Sequence, residues 1–171
     1  MNLTELFQQN GKISEVEIPV TKEDFAKDSF TDGFFIEDSY VKLIFRNIEK
    51  GKILVEGKGK IPFSSSCNRC LAEVREEVFL DFEEQLYSPE IEIDEDTKEE
   101  QYYLEGYELD LLALIREELQ LAWPTKILCK EDCKGICKKC GIDLNKESCQ
   151  CDDFIPDVRF ANLMEIFNNS Q

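Results

Sequence analysis

The chain has 171 residues, 42% hydrophobic and including twelve Phe, enough for one cored domain or one domain with a small appendage. Its 37 Asp and Glu outnumber 20 Lys and Arg, and the resulting charge of −17 repels phosphate backbones and favours basic partners. There are eight Cys and no His, which excludes Cys–His metal sites, His-based triads and His general bases together.

Met1-Asn2-Leu3-Thr4-Glu5 shows no positive segment leading into an apolar run, so no signal peptide is expected. No apolar stretch is long enough to span a membrane, and a cytoplasmic chain is expected. There thiols stay reduced, and clustered cysteines favour metal over disulfides.

Leu3 to Phe7 suits a helical turn, broken at Asn10-Gly11. Val16, Ile18 and Val20 alternate with polar neighbours as a half-buried strand does, and the mixed segment Thr21 to Asp38 carries no clear signal. Val41, Leu43 and Phe45 alternate again, Lys50-Gly51 marks a turn, and Ile53, Val55, Gly57, Gly59 and Ile61 form a return strand. The two glycines predict a bulge or tight bend. Val74, Val78, Leu80 and Phe82 keep one phase, so 40–87 reads as an antiparallel meander with Cys67 and Cys70 at a tip between long strands.

Residues 89–101 hold seven acids and a single Lys98, the pattern of a solvated loop. Asp110 then reads as the N-cap of a helix over 110–122, with Leu111, Ile115, Leu119 and Ala122 as its apolar stripe, flanked by Leu112 and Leu114, and Pro124 beyond its end. Phe160, Leu163, Met164 and Phe167 suggest a short amphipathic helix after Pro156. The expected architecture is α+β. An antiparallel meander or partly closed barrel with a packed helix occupies 1–124, and a Cys-rich metal module with the C-terminal helix occupies 125–171.

The cysteines read Cys67-x2-Cys70, then Cys129-x3-Cys133-x3-Cys137-x2-Cys140-x8-Cys149-x-Cys151. A two-residue spacer lets one tight turn aim two sulfurs at a single tetrahedral ion. Gly141 after Cys140 supplies the positive φ that such turns need. The x3 spacings suit a helical turn, but Gly135 argues against a regular helix. Cys149 and Cys151 cannot aim one way from a strand, where alternate residues lie ~7 Å apart, so a turn must gather them or they serve different ions. Eight ligands divide into two four-sulfur sites. The favoured division groups Cys137, Cys140, Cys149 and Cys151, and sets Cys67 and Cys70 with Cys129 and Cys133, clamping the module onto the meander. A second division joins Cys67, Cys70, Cys137 and Cys140 around one ion.

Unligated thiols are common singly but not at these spacings. A redox pair at Cys67 and Cys70 would lack a helix N-terminus to lower its pKa. An iron–sulfur cluster uses the same ligands, but no companion redox motif is visible, so structural zinc is expected, one or two ions.

Several stretches resemble the YceD-like family, named for large ribosomal RNA subunit accumulation. They are Cys67-Asn68-Arg69-Cys70-Leu71, Leu109-Asp110-Leu111 with Arg116-Glu117-Glu118-Leu119, the run from Cys129 to Asn145, Cys149-Gln150-Cys151, and Pro156-Asp157-Val158-Arg159-Phe160. The resemblance covers nearly the whole chain in order. It implies a non-enzymatic accessory role in making or stabilising large-subunit ribosomal RNA in bacteria or chloroplasts. Some members keep only the first cysteine pair, so this chain is of the cysteine-rich type. The expected partners are ribosomal RNA, a basic ribosomal or ribosome-assembly protein, or both, with no membrane and no small-molecule substrate. Lys126, Lys130, Lys134, Lys138 and Lys139 are candidate RNA contacts, or a solvated surface that offsets thiolate charge. A thiol/zinc redox switch is the alternative function. An enzyme is not expected, because no catalytic constellation stands out and four-sulfur zinc leaves no open coordination position.

Overall fold

The computed structural model describes residues 1–25, 31 and 33–151. Strands β1 (Ile13–Val20), β2 (Phe35–Ile36), β3 (Ser39–Glu49), β4 (Lys52–Ser66) and β5 (Glu73–Tyr87) make one antiparallel sheet. β3 lies between β1 and β4, and β5 pairs with the other edge of β4 along its whole length. β2 continues the line of β3 beside the far end of β4, Phe35 opposite Ser64. The sheet stays open, with β1 and β5 at its edges among the described residues.

Period-two alternation puts Val41, Leu43, Phe45, Ile53, Val55, Ile61, Phe63, Val78, Leu80 and Leu86 on one buried face. Helix α1 (Thr4–Gln8) buries Leu6 and Phe7, and the Asn47 side chain donates to the carbonyls of Leu6 and Phe7 at 2.5 and 3.1 Å, holding the helix end to β3. Helix α3 (Leu111–Ala122) starts at Asp110, whose carboxylate accepts from the N–H groups of Leu112 and Ala113. Such a cap contributes about 1 kcal/mol. The helix buries Ala113, Leu114, Ile115 and Leu119 and packs on β5. Ile115, Leu119 and the flanking Leu114 are buried as expected, whereas Leu111 is only half-buried and Ala122 is exposed, with Ala113 buried in their place.

Two further expectations are corrected. The strand register runs unbroken through Gly57 and Gly59, and the one irregularity lies at Asn47/Glu49. Gly57 instead makes room for its cross-strand neighbour Phe82: a Cβ there would lie 2.2 Å from the ring. The acidic run is also more ordered than a loop. Asp94 accepts from Thr97 N–H and caps a helix α2 (Glu95–Glu100), which a short hairpin of β6 (Leu104–Glu105) and β7 (Glu108–Leu109) follows. A local cap outweighs like-charge repulsion there. The candidate C-terminal helix lies outside the described residues.

Candidate metal centre

β4 ends at Ser66 and β5 begins at Glu73, so the knuckle from Cys67 to Cys70 sits at the tip of the longest hairpin. Cys67 N–H donates to the Ala72 carbonyl at 2.8 Å, Leu71 N–H to the Cys67 carbonyl at 3.0 Å, and Arg69 N–H to the Cys67 Sγ at 3.4 Å. The turn closes through Leu71 at φ 62°, the one described non-glycine residue in the left-handed region.

The knuckle at Cys137 repeats this pattern bond for bond. Cys137 N–H donates to the Ile142 carbonyl at 2.9 Å, Gly141 N–H to the Cys137 carbonyl at 2.9 Å, and Lys139 N–H to the Cys137 Sγ at 3.4 Å. Gly141, at φ 76°, holds the place of Leu71. The N–H aimed at each leading sulfur stabilises a thiolate.

The segment after α3 is held against the sheet. Trp123 meets Phe34 and Phe63 with ring centroids 5.0 and 5.2 Å apart. Ile127 is buried, donates its N–H to Asn68 Oδ1 at 2.6 Å and accepts from Asn68 N–H at 2.9 Å. Cys129 and Cys133 thereby reach the first knuckle. Cys67 and Cys133 sulfurs lie 3.8 Å apart, those of Cys70 and Cys129 3.5 Å apart. The Arg69 guanidinium donates to the Cys133 carbonyl at 2.6 Å, while Ile136 N–H donates to the Arg69 carbonyl at 3.1 Å. Gly135, at φ 78°, lies so close to Arg69 that a Cβ would stand 2.9 Å from its carbonyl oxygen.

The eight sulfurs fall into two groups, Cys67, Cys70, Cys129 and Cys133, and Cys137, Cys140, Cys149 and Cys151, each with all its sulfurs within 4.8 Å of one another. This is the favoured division read from the sequence; the grouping that joins the two knuckles is not formed. A tetrahedral ion with sulfurs ~2.3 Å away needs them about 3.8 Å apart. The donor sets therefore fit such ions, and all eight cysteines are free of disulfides. The short spacing of Cys149 and Cys151 is absorbed by irregular backbone, which brings both to one group.

Within each group the thiols differ in acidity. Burial works against ionisation of Cys67, yet the N–H groups of Cys129, Arg69 and Cys70 bring its pKa down to about 6. The N–H groups of Cys140 and Lys139 bring Cys137 down to about 6. Cys129 is pushed up to about 12, chiefly by its contact with Cys70, and Cys151 to about 12, chiefly by its contact with Cys140. Four neighbouring thiols cannot all ionise alone, whereas a divalent cation removes that repulsion and binds the thiolates. Asn145 was not legible as part of the site: its amide donates to the Cys133 Sγ at 3.4 Å. No spacing rule flags a lone Asn twelve residues beyond a ligand.

An open antiparallel sheet with one packed helix and two all-sulfur groups defines a class of small α+β proteins carrying Cys-rich knuckles. The sequence profile of the large ribosomal RNA subunit accumulation protein YceD matches residues 55–167, and the chain belongs to that family. Uncharacterised proteins of Mycobacterium tuberculosis (strain H37Rv) and Mycobacterium bovis are each 32% identical over 115 residues, covering 67% of this chain and 55% of theirs. The chloroplastic large ribosomal RNA subunit accumulation protein YCED homolog 1 of Arabidopsis thaliana is 28% identical over 130 residues, covering 60% of this chain and 40% of its own. The chain thus spans about half the length of these curated relatives. No solved structure matches. No helix among the described residues is long and apolar enough to cross a membrane.

Proposed function

We propose that this is a non-enzymatic, cytoplasmic accessory protein for the synthesis, processing or stability of large-subunit ribosomal RNA, and that each four-sulfur group holds one structural zinc ion. Family membership carries the process. The two closed sulfur groups carry the zinc assignment, because zinc favours four thiolates in a tetrahedron and has no redox chemistry of its own. A chain without His, with every knuckle sulfur directed to a closed group, supports a scaffold and not a catalyst.

Lysines on the Cys-rich segment are the nearest cations to offer RNA. Lys130 and Lys146 pair with Asp132 and Asp143 at 3.8 and 3.4 Å, whereas Lys126, Lys134 and Lys138 form no ion pair among the described residues. Two zinc ions in eight thiolates leave four negative charges beside them, so the acidic body favours a basic ribosomal or assembly protein as partner, with RNA contact confined to those lysines.

Metal analysis of reduced, purified protein should give two zinc ions per chain; iron, or fewer than one ion, rejects the assignment. Crosslinking in cells should recover large-subunit ribosomal RNA or a ribosomal protein, and recovery of neither above a mock sample counts against the role. A zinc-releasing redox switch is the second reading, favoured by the exposure of Cys129 and Cys140, one in each group. It requires mild peroxide to release zinc.

A further inference from the structure

β5 is fifteen residues long and pairs with β4 alone. The phase of that ladder follows from Ser88, whose N–H donates to the Gly51 carbonyl at 2.8 Å. In an antiparallel pair such bonds recur at every second residue. Even-numbered residues from Val74 to Leu86 therefore bond to β4, and odd-numbered ones aim N–H and C=O outward. Gln85 checks this phase, because its carbonyl accepts from the side-chain amide of Gln101, off the sheet. From Arg75 to Glu83 no described element pairs with that outer edge.

The same strand carries Glu73, Glu76, Glu77, Asp81, Glu83 and Glu84 against a single Arg75. Lys60 and Lys58 reach Glu77 and Asp81 at 3.7 and 3.3 Å, and Arg75 reaches Glu73 at 3.1 Å. Those pairs are exposed, worth little, and open to exchange with an incoming cation. Phe79 stands between them, 61% exposed. Charges on an edge also deter aggregation, and here they say which strand is refused. A second copy would set six acids against six, whereas a basic strand gains charge complementarity along the line of its backbone bonds.

We propose that the outer edge of β5, between Arg75 and Glu83, accepts an extended Lys/Arg-rich segment of a partner protein as an added strand. The edge lies outside both sulfur groups, and its test is independent of the ribosomal RNA reading and of metal identity.

The probe is a short synthetic peptide alternating lysine and valine, with blocked ends, titrated into the full chain as purified. The control is the same sequence with every backbone nitrogen methylated, matching the charge and side chains without N–H groups for a ladder. The lysine–valine peptide should bind at least ~10-fold more tightly than the control. It should also slow amide exchange at Arg75, Glu77, Phe79, Asp81 and Glu83, while the even-numbered amides, already bonded to β4, change little. Phe79→Pro deletes one outward N–H without touching the ladder to β4 and should weaken binding at least ~10-fold; Phe79→Ala keeps that N–H and should bind. Unchanged exchange at the even-numbered amides verifies that Phe79→Pro is folded. Equal binding of both peptides, no protection at the odd-numbered residues, or equal loss in the proline and alanine variants each overturns the proposal. So does protection of the edge in the free protein, which would mean that a second copy or residues 152–171 cover it.

Discussion

The side-chain amide of Asn145 donates to the sulfur of Cys133 at 3.4 Å, so a residue of the second knuckle's hairpin supports a ligand of the first group. The hairpin is closed by the bridge between Ile136 and Asp143 and by Leu144 N–H donating to the Gly135 carbonyl at 2.9 Å. Asn145 is fixed in turn by accepting from Lys134 N–H at 2.9 Å. Asn145→Ala should lower metal affinity at the first group at least ~10-fold, the usual cost of losing a partner behind a ligand, and leave the second unchanged. Chelator competition on the cobalt-substituted protein reads both affinities. Equal affinity of parent and variant at the first group would refute the coupling.

The two groups should also differ in what they hold together. The first joins sulfurs 59 and 66 residues apart, the second lies within one short segment. Cys129→Ser should therefore raise amide exchange at Asn68 and Ile127, whose mutual bonds tie the segment after α3 to the hairpin tip. Cys140→Ser should loosen the hairpin from Ile136 to Asp143 and reach the first group only through Asn145. The reverse pattern would reject this division of labour.

Leu71 and Gly141 occupy the same place in two matching knuckles, at φ 62° and 76°. A side chain in that region costs roughly 1–2 kcal/mol. Leu71→Gly should thus stabilise the zinc-loaded protein by up to ~1 kcal/mol, since Leu71 is exposed and gives up little packing. Gly141→Ala should destabilise it by ~1 kcal/mol, although nothing lies within 4 Å of the added Cβ. Thermal melts of the two variants moving in the same direction would contradict the shared geometry.

Glu118 has a carboxyl pushed up to about 7, first by burial and then by Glu84 and Glu117. The unfolded chain ionises near ~4.3, so this group costs no stability below that pH. The cost grows as pH rises towards 7 and is complete above it. Glu118→Gln should therefore raise stability by roughly 1 kcal/mol above neutrality, once solvent screening of this half-exposed group is allowed for, and change little near pH 4. Denaturation of parent and variant at paired pH values checks the sign; a gain only at low pH would be wrong for this mechanism.

The sequence legibly encoded the elements whose physics is local. Alternation of Val41, Leu43 and Phe45 placed β3, Asp110 placed the start of α3, and the x2 spacings with Gly141 placed both knuckles. What stayed illegible depended on distant partners. Gly57 reads as a bulge until Phe82 is seen to fill its space, and Asn145 carries no signal until its amide is found beside the Cys133 sulfur. Nothing in the local signal of 94–100 outweighs seven acids in a row of thirteen residues, so the cap at Asp94 was hidden by composition.

The hairpin tip that presents Cys67 and Cys70 has a temporal consequence. During synthesis the chain emerges in order, so the β4–β5 hairpin can form while Cys129 and Cys133 are still within the ribosome. For that interval the first group exists as a two-sulfur half site. Closing a loop of about sixty residues then costs only slowly growing entropy, and an ion held by the four sulfurs would make the closure persist. The ligands of the first group thus come from both sides of α3, and an ion bound there would report that the hairpin tip and the segment beyond α3 have met.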